Sequence, residues 1–330
     1  MVVLREHMCP GLELQLVRDL RAADISTVEE LVSADLEALA QKCSISYKAL
    51  FAIRRVLLAQ HTAFPVSGAD LYEELLSSTA ILSTGHPRLD ELLDSGLYTG
   101  ELTELSGGPG SGKTQVCLGV SVHIALHLKQ TVIFIDTTGG VTAGRLQQML
   151  QSESSSAEEQ MCALQRIHVF RVFDVLSLLD CLYSLRRSGL HQVSVGGACV
   201  RAIIVDSVWA VLSPLLGTSF TQGVSLMVQV AALLKTLVKD FSMAALVTNH
   251  VTRSVSGAVR PALGVSWSHL PRTRLLLEGS NQSGQGLSSW RSATLVKSSR
   301  QPCHVKVNFD LSWWSRSKDE ASAKRKLSQT

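Results

Sequence analysis

Residues 107–114 read GGPGSGKT and fill every position of the phosphate-binding pattern G-x-x-x-x-G-K-[ST]. Glycines let such a loop curl until its backbone N–H groups point at a phosphate, Lys113 adds a positive charge, and Thr114 offers a hydroxyl to Mg²⁺. The loop follows a predicted strand at 101–105 and opens an apolar helical stretch at 115–128, so a helix N-terminus also favours an anion here. A chance glycine-rich loop is the alternative. We predict that the nucleotide contacts Gly107, Gly108, Pro109, Gly110, Ser111, Gly112, Lys113 and Thr114.

The composition fits one large α/β core and one smaller module. The chain has 330 residues, 45% of them hydrophobic, a formal net charge of +3 and a pI near 8.5. Such mild basicity allows nucleic-acid contact and fits an ordinary surface equally well. The seven cysteines form no C-x-x-C pair, which favours reduced thiols in the cytosol or nucleus over a zinc site. We see no signal-peptide pattern, and the most apolar window, 116–128, is too short to cross a bilayer, so we predict no membrane partner.

Residues 1–60 have the pattern of a small helical domain, with Thr27 and Ser33 as candidate N-caps. Residues 43–48 are similar to the turn of a helix-hairpin-helix, in which a glycine usually lets backbone N–H groups reach a DNA phosphate. Ser44 stands in that place, so a protein-docking helical cap is as good an interpretation as DNA binding. The apolar stripes of this domain comprise Leu12, Leu16, Leu20, Leu31, Leu36, Leu39, Leu50, Ile53 and Leu57.

A linker at 61–80 joins this domain to the core. Its Pro65 favours an extended chain at 64–69, and a helical turn is expected at 70–76. At the other end of the chain, residues 311–330 are expected to form a disordered tail, because most of them are polar.

Between residues 81 and 310, buried strands alternate with helices. The strands are predicted at 132–136, 167–173, 201–207 and 244–249, and the helices at 143–150, 174–187 and 224–241. This alternation predicts an α/β fold, with a largely parallel twisted sheet and helices on both faces. Its ligands would collect at the carboxyl ends of the strands. Candidate antiparallel edge strands lie at 272–278, 292–296 and 305–309, and Ser/Gly-rich loops at 152–159, 189–197 and 279–289.

Polar residues end two of the buried strands. Asp206 ends one of them, where its carboxylate can hold the Mg²⁺ hydration shell opposite Thr114. Asn249 and His250 end the next strand, where they can sense a γ-phosphate. The alternatives are an aspartate that caps the following turn and an ordinary strand-end turn. We predict Thr114 and Asp206 as metal ligands, and Asn249 and His250 as further nucleotide contacts.

From about residue 10 to 310, the chain resembles the RecA-like recombinase family, in its eukaryotic Rad-type branch. Four stretches carry this resemblance: ILSTGHPRLDELLDSGLYTGELTELSGGPGSGKTQ at 81–115, FIDTTGG at 134–140, IIVDS at 203–207 and VTNH at 247–250. Within the branch it is most similar to the D-type recombinase paralogs, through residues 32–50, 68–85, 211–217 and 297–302.

The resemblance implies a RecA-like P-loop ATPase core that binds ATP and Mg²⁺, in a nuclear protein of homologous-recombination DNA repair. Family members bind ATP at subunit interfaces and assemble head to tail on single-stranded DNA, and paralogs of this branch act as mediators. The D-type paralog lies in a four-paralog complex between the C-type paralog and the X-ray-cross-complementing-type paralog. The resemblance therefore implies those two partners and single-stranded DNA.

The family has two DNA-facing loops, which map to 214–224 and 251–268 and whose Gly and Ser content favours mobility. Arg253 and Arg260 are the only cations in the two segments. One or two phosphate contacts give weak, salt-dependent binding.

One departure from the family concerns hydrolysis. Recombinases that hydrolyse ATP carry D-T-E-G after the second strand, and the glutamate deprotonates the attacking water. This chain has Thr138 in that position, within Asp136-Thr137-Thr138-Gly139. A neutral hydroxyl cannot act as a general base near neutral pH, and losing the base typically costs about 10²–10⁴-fold in rate. We expect ATP binding with slow hydrolysis and assign no catalytic residue, because Asp136 would have to rotate out of its own site to substitute.

A second departure lies in the linker. Family filaments add an F-x-x-A segment of one subunit to the sheet of the next, and the matching residues here are Val66-Ser67-Gly68-Ala69. Valine buries less surface than phenylalanine, worth ~1 kcal/mol. The segment would then suit a dedicated partner better than a generic one, and a plain spacer is the alternative.

Two functions fit these features. One is an ATP-dependent assembly subunit for recombination, and the other is an active DNA-dependent ATPase with strand-exchange activity. Thr138 favours the first. A P-loop kinase or a replicative-type helicase would lack this helical domain and linker.

Overall fold

The computed structural model describes residues 2–6, 8–61, 67–187, 190, 199–218, 220–253, 259–279 and 289–315. Internal contacts divide the chain into two units, Met1–Ser78 with Ser184–Gly189, and Thr79–Tyr183 with Leu190–Thr330. The first unit is helical and the second is α/β.

The small unit contains helices α1 (Leu14–Ala22), α2 (Val28–Ser33), α3 (Leu36–Lys42), α4 (Tyr47–His61) and α5 (Gly68–Ser78). All nine residues of the predicted apolar stripes, from Leu12 to Leu57, are buried in one cluster. The helical pattern was therefore read correctly, because apolar residues at this spacing share one face of a helix and bury together.

Of the two candidate N-caps, one is confirmed and one is wrong. Thr27 caps α2 in a capping box with Glu30, whose backbone N–H donates to the threonine hydroxyl. Ser33 is instead the last residue of α2. The cap of α3 is Asp35, which accepts a hydrogen bond from the Glu37 N–H at 3.0 Å. A carboxylate directly before the helix is as good a cap as serine, so the local choice was ambiguous in sequence.

The turn before α4 places Ser44 at φ 52°, in the left-handed region. Glycine adopts this conformation without strain, whereas a side chain there costs about 1–2 kcal/mol. Ser44 thus takes a conformation that favours glycine, at the position where the turn that it resembles usually carries glycine.

The linker is more helical than predicted. Helix α5 begins at Gly68, because the Ser67 hydroxyl accepts a hydrogen bond from the Asp70 N–H at 3.1 Å and caps it. The expected extended conformation is therefore wrong for Gly68 and Ala69, which lie in the first turn. Residues 62–66, with Pro65 and Val66, lie outside the described residues.

The α/β unit contains helices α6 to α13 and the strands β1 to β12. The helices are α6 (Pro87–Leu92), α7 (Lys113–Leu126), α8 (Ala143–Glu153), α9 (Ala157–Gln165), α10 (Val175–Arg187), α11 (Val208–Thr218), α12 (Phe220–Asp240) and α13 (Gly264–Ser268). The strands are β1 (Ile81–Leu82), β2 (Leu97–Tyr98), β3 (Leu102–Gly107), β4 (Thr131–Asp136), β5 (Ile167–Arg171), β6 (Val200–Asp206), β7 (Ala244–Asn249), β8 (Val251–Arg253), β9 (Val259–Pro261), β10 (Thr273–Gly279), β11 (Trp290–Lys297) and β12 (Lys306–Asp310).

One eight-stranded sheet has the order β12-β11-β10-β3-β7-β6-β4-β5, and the pairs β1–β2 and β8–β9 form small antiparallel ribbons. Strands β3 to β7 pair in parallel, as predicted. The three predicted antiparallel edge strands exist, but β10 joins β3 in parallel, and only its pairing with β11 and that of β11 with β12 are antiparallel. The connection from β7 to β10 includes α13, and it lets β10 run in the same direction as β3. Local sequence does not specify this route.

Two predicted loops are largely helical. Within 152–159, α8 continues to Glu153 and α9 begins at Ala157, capped by Ser156. The serine-rich composition concealed that cap. Residues 214–218 and 220–224, expected in a mobile DNA-facing loop, belong to α11 and α12. The two helices meet closely, since a β-carbon on Gly223 would lie 2.7 Å from the Leu215 carbonyl oxygen. The loops expected at 189–197 and 279–289 lie mostly outside the described residues.

The packed chain continues past the expected boundary at 310. Residues Leu311–Ser315 form a 3-10 helix. Trp314 in this helix is buried against Gly119, since a β-carbon on Gly119 would lie 2.3 Å from the tryptophan ring. Its Nε1 donates to the Thr84 carbonyl at 3.2 Å. Residues 316–330 lie outside the described part of the chain.

Candidate nucleotide-binding site

The glycine-rich loop joins the end of β3 to the start of α7. Gly110 and Gly112 have φ values of 70° and 96°, which only glycine adopts without strain. Gly107 is needed for a different reason, because a β-carbon there would lie 2.5 Å from the Ser111 hydroxyl and 2.6 Å from the Leu277 carbonyl oxygen. The loop has the backbone shape that an anion cradle requires.

Lys113 is the cation of this loop. Its Nζ donates to the carbonyl oxygens of Gly107 at 2.8 Å and Gly108 at 2.9 Å, so the ammonium is held over the loop. Burial lowers the pKa of Lys113, and the nearby carboxylate of Asp206 opposes that shift. A phosphate oxygen at this position would add the opposite charge that a buried ammonium favours.

Asp206 ends β6 inside the site and is almost completely buried. Its Oδ1 accepts a hydrogen bond from the Thr248 hydroxyl at the end of β7. Its Oδ2 is buried and has no hydrogen-bond donor among the residues that the structure describes. A buried carboxylate oxygen without a donor suits a cation or its hydration shell.

These residues fit Mg²⁺ with a nucleoside triphosphate. Mg²⁺ at phosphate sites is usually held by one or two protein ligands, phosphate oxygens and water. Thr114 in the first turn of α7 and Asp206 supply that number. In the described part of the chain, no group of three or more His, Cys, Asp or Glu side chains could hold a metal ion.

Asp136 closes the turn after β4. Its Oδ1 accepts hydrogen bonds from the N–H groups of Thr138 at 3.1 Å and Gly139 at 2.8 Å, and its Oδ2 accepts from Val141 at 3.0 Å. Rotation of the carboxylate toward a substrate would leave these donors unpaired, at a cost of about 1–3 kcal/mol each. This geometry argues against Asp136 as a substitute general base.

Thr138 lies near the metal side of the site. A β-carbon on Gly140 would be 3.4 Å from the Thr138 hydroxyl and 3.6 Å from the Thr114 methyl, so Gly140 has these two threonines on its flanks. Thr138 and Thr114 are therefore both neighbours of Gly140.

The structure separates Asn249 from His250. The Asn249 amide is fully buried and donates from Nδ2 to Oε1 of Glu104 at 2.7 Å, within the sheet. His250 instead lies within the electrostatic reach of Lys113 and Asp206. Its pKa is lowered, chiefly by burial and then by the Lys113 ammonium, while Asp206 acts in the opposite direction. Of the two predicted contacts, Asn249 is thus tied to Glu104, whereas His250 is influenced electrostatically by Lys113 and Asp206.

Several residues of the site were missed in the sequence. Glu104 on β3 forms a buried ion pair with Arg274 on β10, with 2.5 Å between carboxylate and guanidinium. Arg291 donates from Nε to the Gly110 carbonyl at 3.2 Å, although it lies 181 residues away along the chain. One signal was available in the sequence, since Glu104 and Arg274 each place a charge inside a predicted strand.

A cleft of about 830 Å³ opens beside the loop. The exposed Arg253 and Arg260 lie on the adjoining β8–β9 ribbon, while residues 254–258 of the second predicted DNA-facing segment lie outside the described residues. The cleft is lined by, among others, Gly108, Pro109, Arg253, Trp290, Arg291 and Lys306. Among the described residues, no helix is long and apolar enough to cross a membrane.

Comparison with known proteins gives consistent matches. The family described as RAD51D, N-terminal domain, matches residues 1–60, and the Rad51 family matches residues 76–286. DNA repair protein RAD51 homolog 4 of Bos taurus is 55% identical over 312 residues, which cover 94% of this chain and 95% of the relative. Its counterpart in Mus musculus is 52% identical with the same coverage. DNA repair and recombination protein RadA of Aeropyrum pernix is 26% identical over 60% of this chain and 61% of its own length.

Proposed function

Because the chain belongs to the Rad51 family, we propose that it is an ATP-binding subunit of a recombinase-paralog complex that promotes homologous-recombination DNA repair and hydrolyses ATP slowly. Relatives named as DNA repair proteins cover nearly the whole chain, which supports the repair role and a nuclear location. The observation that carries the proposal is a complete phosphate-binding loop facing Asp206, combined with Thr138 in the place of the family's catalytic glutamate.

ATP binding is supported by the loop and its surroundings. Backbone N–H groups at the start of α7, the Lys113 ammonium and the helix dipole all favour a polyphosphate. Thr114 and Asp206 would hold Mg²⁺, which supplies charge neutralisation at the β- and γ-phosphates when bound. Binding would be governed by these groups, none of which depends on residue 138.

Slow hydrolysis follows from what surrounds the attacking water. A neutral Thr138 cannot accept its proton near neutral pH, and the Asp136 carboxylate is already engaged by backbone donors. Bound ATP would then persist as the triphosphate until it dissociates. In a family that places ATP between subunits, a long-lived triphosphate stabilises the interface.

Contact with single-stranded DNA is proposed for the assembled complex. The expected second DNA-facing segment offers Arg253 and Arg260, both exposed, and the first offers no cation. Two phosphate contacts give weak binding that salt readily weakens. Neighbouring subunits would therefore supply most of the affinity for DNA.

The proposed partners are the C-type and the X-ray-cross-complementing-type paralogs, one on each side of this subunit. The linker is the proposed docking segment on one side. Ala69 is exposed in the first turn of α5, where a small side chain can enter a partner's pocket. The nucleotide face is the proposed contact on the other side.

The test uses the full chain, alone and with both partners. Binding of a fluorescent ATP analogue with Mg²⁺ is measured first, followed by ATP turnover with and without single-stranded DNA. We expect Mg²⁺-dependent binding and slow turnover that DNA changes little. Failure of the wild-type protein to bind the analogue contradicts the proposed function.

The second candidate function is an active DNA-dependent ATPase with strand-exchange activity. It shares the nucleotide site and differs in turnover. Strong stimulation of hydrolysis by single-stranded DNA in the isolated chain would favour it.

A further inference from the structure

Two aromatic rings meet at the phosphate end of the sheet. The ring centroids of Trp209 and His250 are 4.4 Å apart, with an angle of 53° between the ring planes. Trp209 lies in the first turn of α11, and His250 directly follows β7. Trp209 and His250 thus lie just after Asp206 and Thr248 in the chain. The side chains of Asp206 and Thr248 are hydrogen-bonded to each other inside the site.

The backbone that carries Trp209 is firmly held. Helix α11 begins two residues after Asp206, and the Ser207 hydroxyl accepts a hydrogen bond from the Ala210 N–H at 3.2 Å. The Ser207 N–H in turn donates to the Thr137 hydroxyl at 2.6 Å. The backbone from which the tryptophan ring projects is therefore held in place.

The backbone of His250 is held on both sides as well. Its neighbour Asn249 is bound to Glu104, and the His250 carbonyl accepts a hydrogen bond from the Ala262 N–H at 2.9 Å. These bonds leave the side-chain torsions of His250 free to rotate. A ring 4.4 Å away limits them, because aromatic contacts restrict side-chain rotation through packing.

The imidazole also lies in the electrostatic field of the phosphate and metal site. Lys113 and Asp206 both affect its protonation, in opposite directions. A terminal phosphate bound by Lys113 would add negative charge beside the ring, whereas a diphosphate would leave that position to solvent.

We propose that Trp209 is a positioning residue that holds the His250 ring toward the terminal phosphate, so that the ring pair distinguishes a nucleoside triphosphate from a diphosphate. This inference rests on the proposed function, since it requires that the loop binds nucleotide. It goes beyond the role expected for position 250 from the family, because it assigns a role to a tryptophan outside the nucleotide-binding motifs.

The experiment compares ADP with a non-hydrolysable ATP analogue in the full-length wild-type chain and in Trp209→Leu, Trp209→Phe and His250→Ala. Affinities are measured by competition against a fluorescent nucleotide, and tryptophan emission is recorded in parallel. Phe173→Leu on the exposed surface before α10 is the matched control for loss of an aromatic ring.

In the wild type we expect the triphosphate analogue to change tryptophan emission more than ADP does, and Trp209→Phe to remove that difference. Trp209→Leu and His250→Ala should reduce the preference for triphosphate over diphosphate by about 2- to 10-fold, the range typical of one aromatic pair. Trp209→Phe should keep most of the preference, because it retains a ring. ADP affinity should stay unchanged in the two Trp209 variants and in Phe173→Leu.

An unchanged triphosphate preference in Trp209→Leu overturns the inference. An equal loss of ADP and triphosphate affinity also overturns it, since the tryptophan would then only support the fold of the site. Retained ADP binding in these variants separates this failure from a failure of the proposed function, in which the wild type itself binds no nucleotide.

Discussion

The carboxylate of Asp136 accepts a hydrogen bond from the backbone N–H of Gly139 at 2.8 Å and so closes the turn that contains Thr138. This contact keeps the aspartate in a structural role. Under the proposed function, position 138 would then decide whether the attacking water meets a general base.

Thr138→Glu should therefore raise ATP turnover, by up to about 10²–10⁴-fold if the glutamate reaches the water. ATP affinity should change little, because Lys113 and Thr114 are untouched. Single-turnover hydrolysis measures the effect, with Thr138→Gln as the control of similar size that lacks a base. A wild-type rate already equal to that of glutamate-containing relatives would contradict the assignment.

Lys113→Ala should weaken ATP binding by about 10- to 100-fold, since hydrogen bonds to charged groups contribute about 1.5–3 kcal/mol. Titration with a fluorescent ATP analogue and Mg²⁺ measures the loss. Lys129→Ala, at an exposed lysine just after α7, is the control with the same change in charge. Tight binding by Lys113→Ala would show that the nucleotide does not use this loop.

Glu104→Gln should destabilise the α/β unit by about 3–5 kcal/mol, because it leaves the buried guanidinium of Arg274 without its counter-charge. Urea denaturation of the full chain measures the change. Glu278→Gln is the matched control, since its ion pair with Lys306 is exposed and worth less than about 1 kcal/mol. Similar losses for the two variants would mean that the buried pair contributes no more than a surface pair.

Stability should fall as the pH is lowered from about 6.5 to 4, in part because of His86. Burial among Phe309, Trp313 and Trp314 holds the pKa of His86 down to about 4. Between these pH values the unfolded chain binds a proton at this histidine and the folded chain does not, so protonation favours unfolding. The loss amounts to about 3 kcal/mol and levels off below pH 4.

The variant His86→Asn isolates that contribution. Asparagine keeps a side-chain acceptor at the N-terminus of α6, where His86 Nδ1 accepts from the Arg88 N–H at 3.2 Å, but it does not titrate. Urea denaturation at pH 7.5 and 4.5 should show a smaller pH dependence than in the wild type. An identical pH dependence would exclude His86 as its source.

Ala69→Glu should disrupt binding of the partner that docks on the linker while ATP binding and the other partner are retained. A charge in an apolar pocket has no partner to offset its desolvation. Pull-down with both paralogs measures this, and Ala69→Ser is the control of similar size. Retention of both partners would mean that the segment around Ala69 is only a spacer.

The sequence was sufficient for the buried strands of the core and for part of the site. Strand–loop–helix order around Lys113 and the aspartate at the end of β6 were predicted correctly, because short buried strands and glycine-dependent turns leave local patterns. Predictions from composition were less successful. The segments 152–159 and 214–224 contain Ser and Gly but are mainly helical, since caps and close packing outweigh composition.

The contacts between distant residues were decided by the tertiary structure alone. The sequence left Asn249 and His250 equivalent, and the sheet order turned one toward Glu104 and brought the other beside Trp209. The same order paired Glu104 with Arg274, 170 residues away. Periodicity within a segment records which face is buried, but which strands become neighbours depends on the packing of the whole sheet, and no local pattern encodes that.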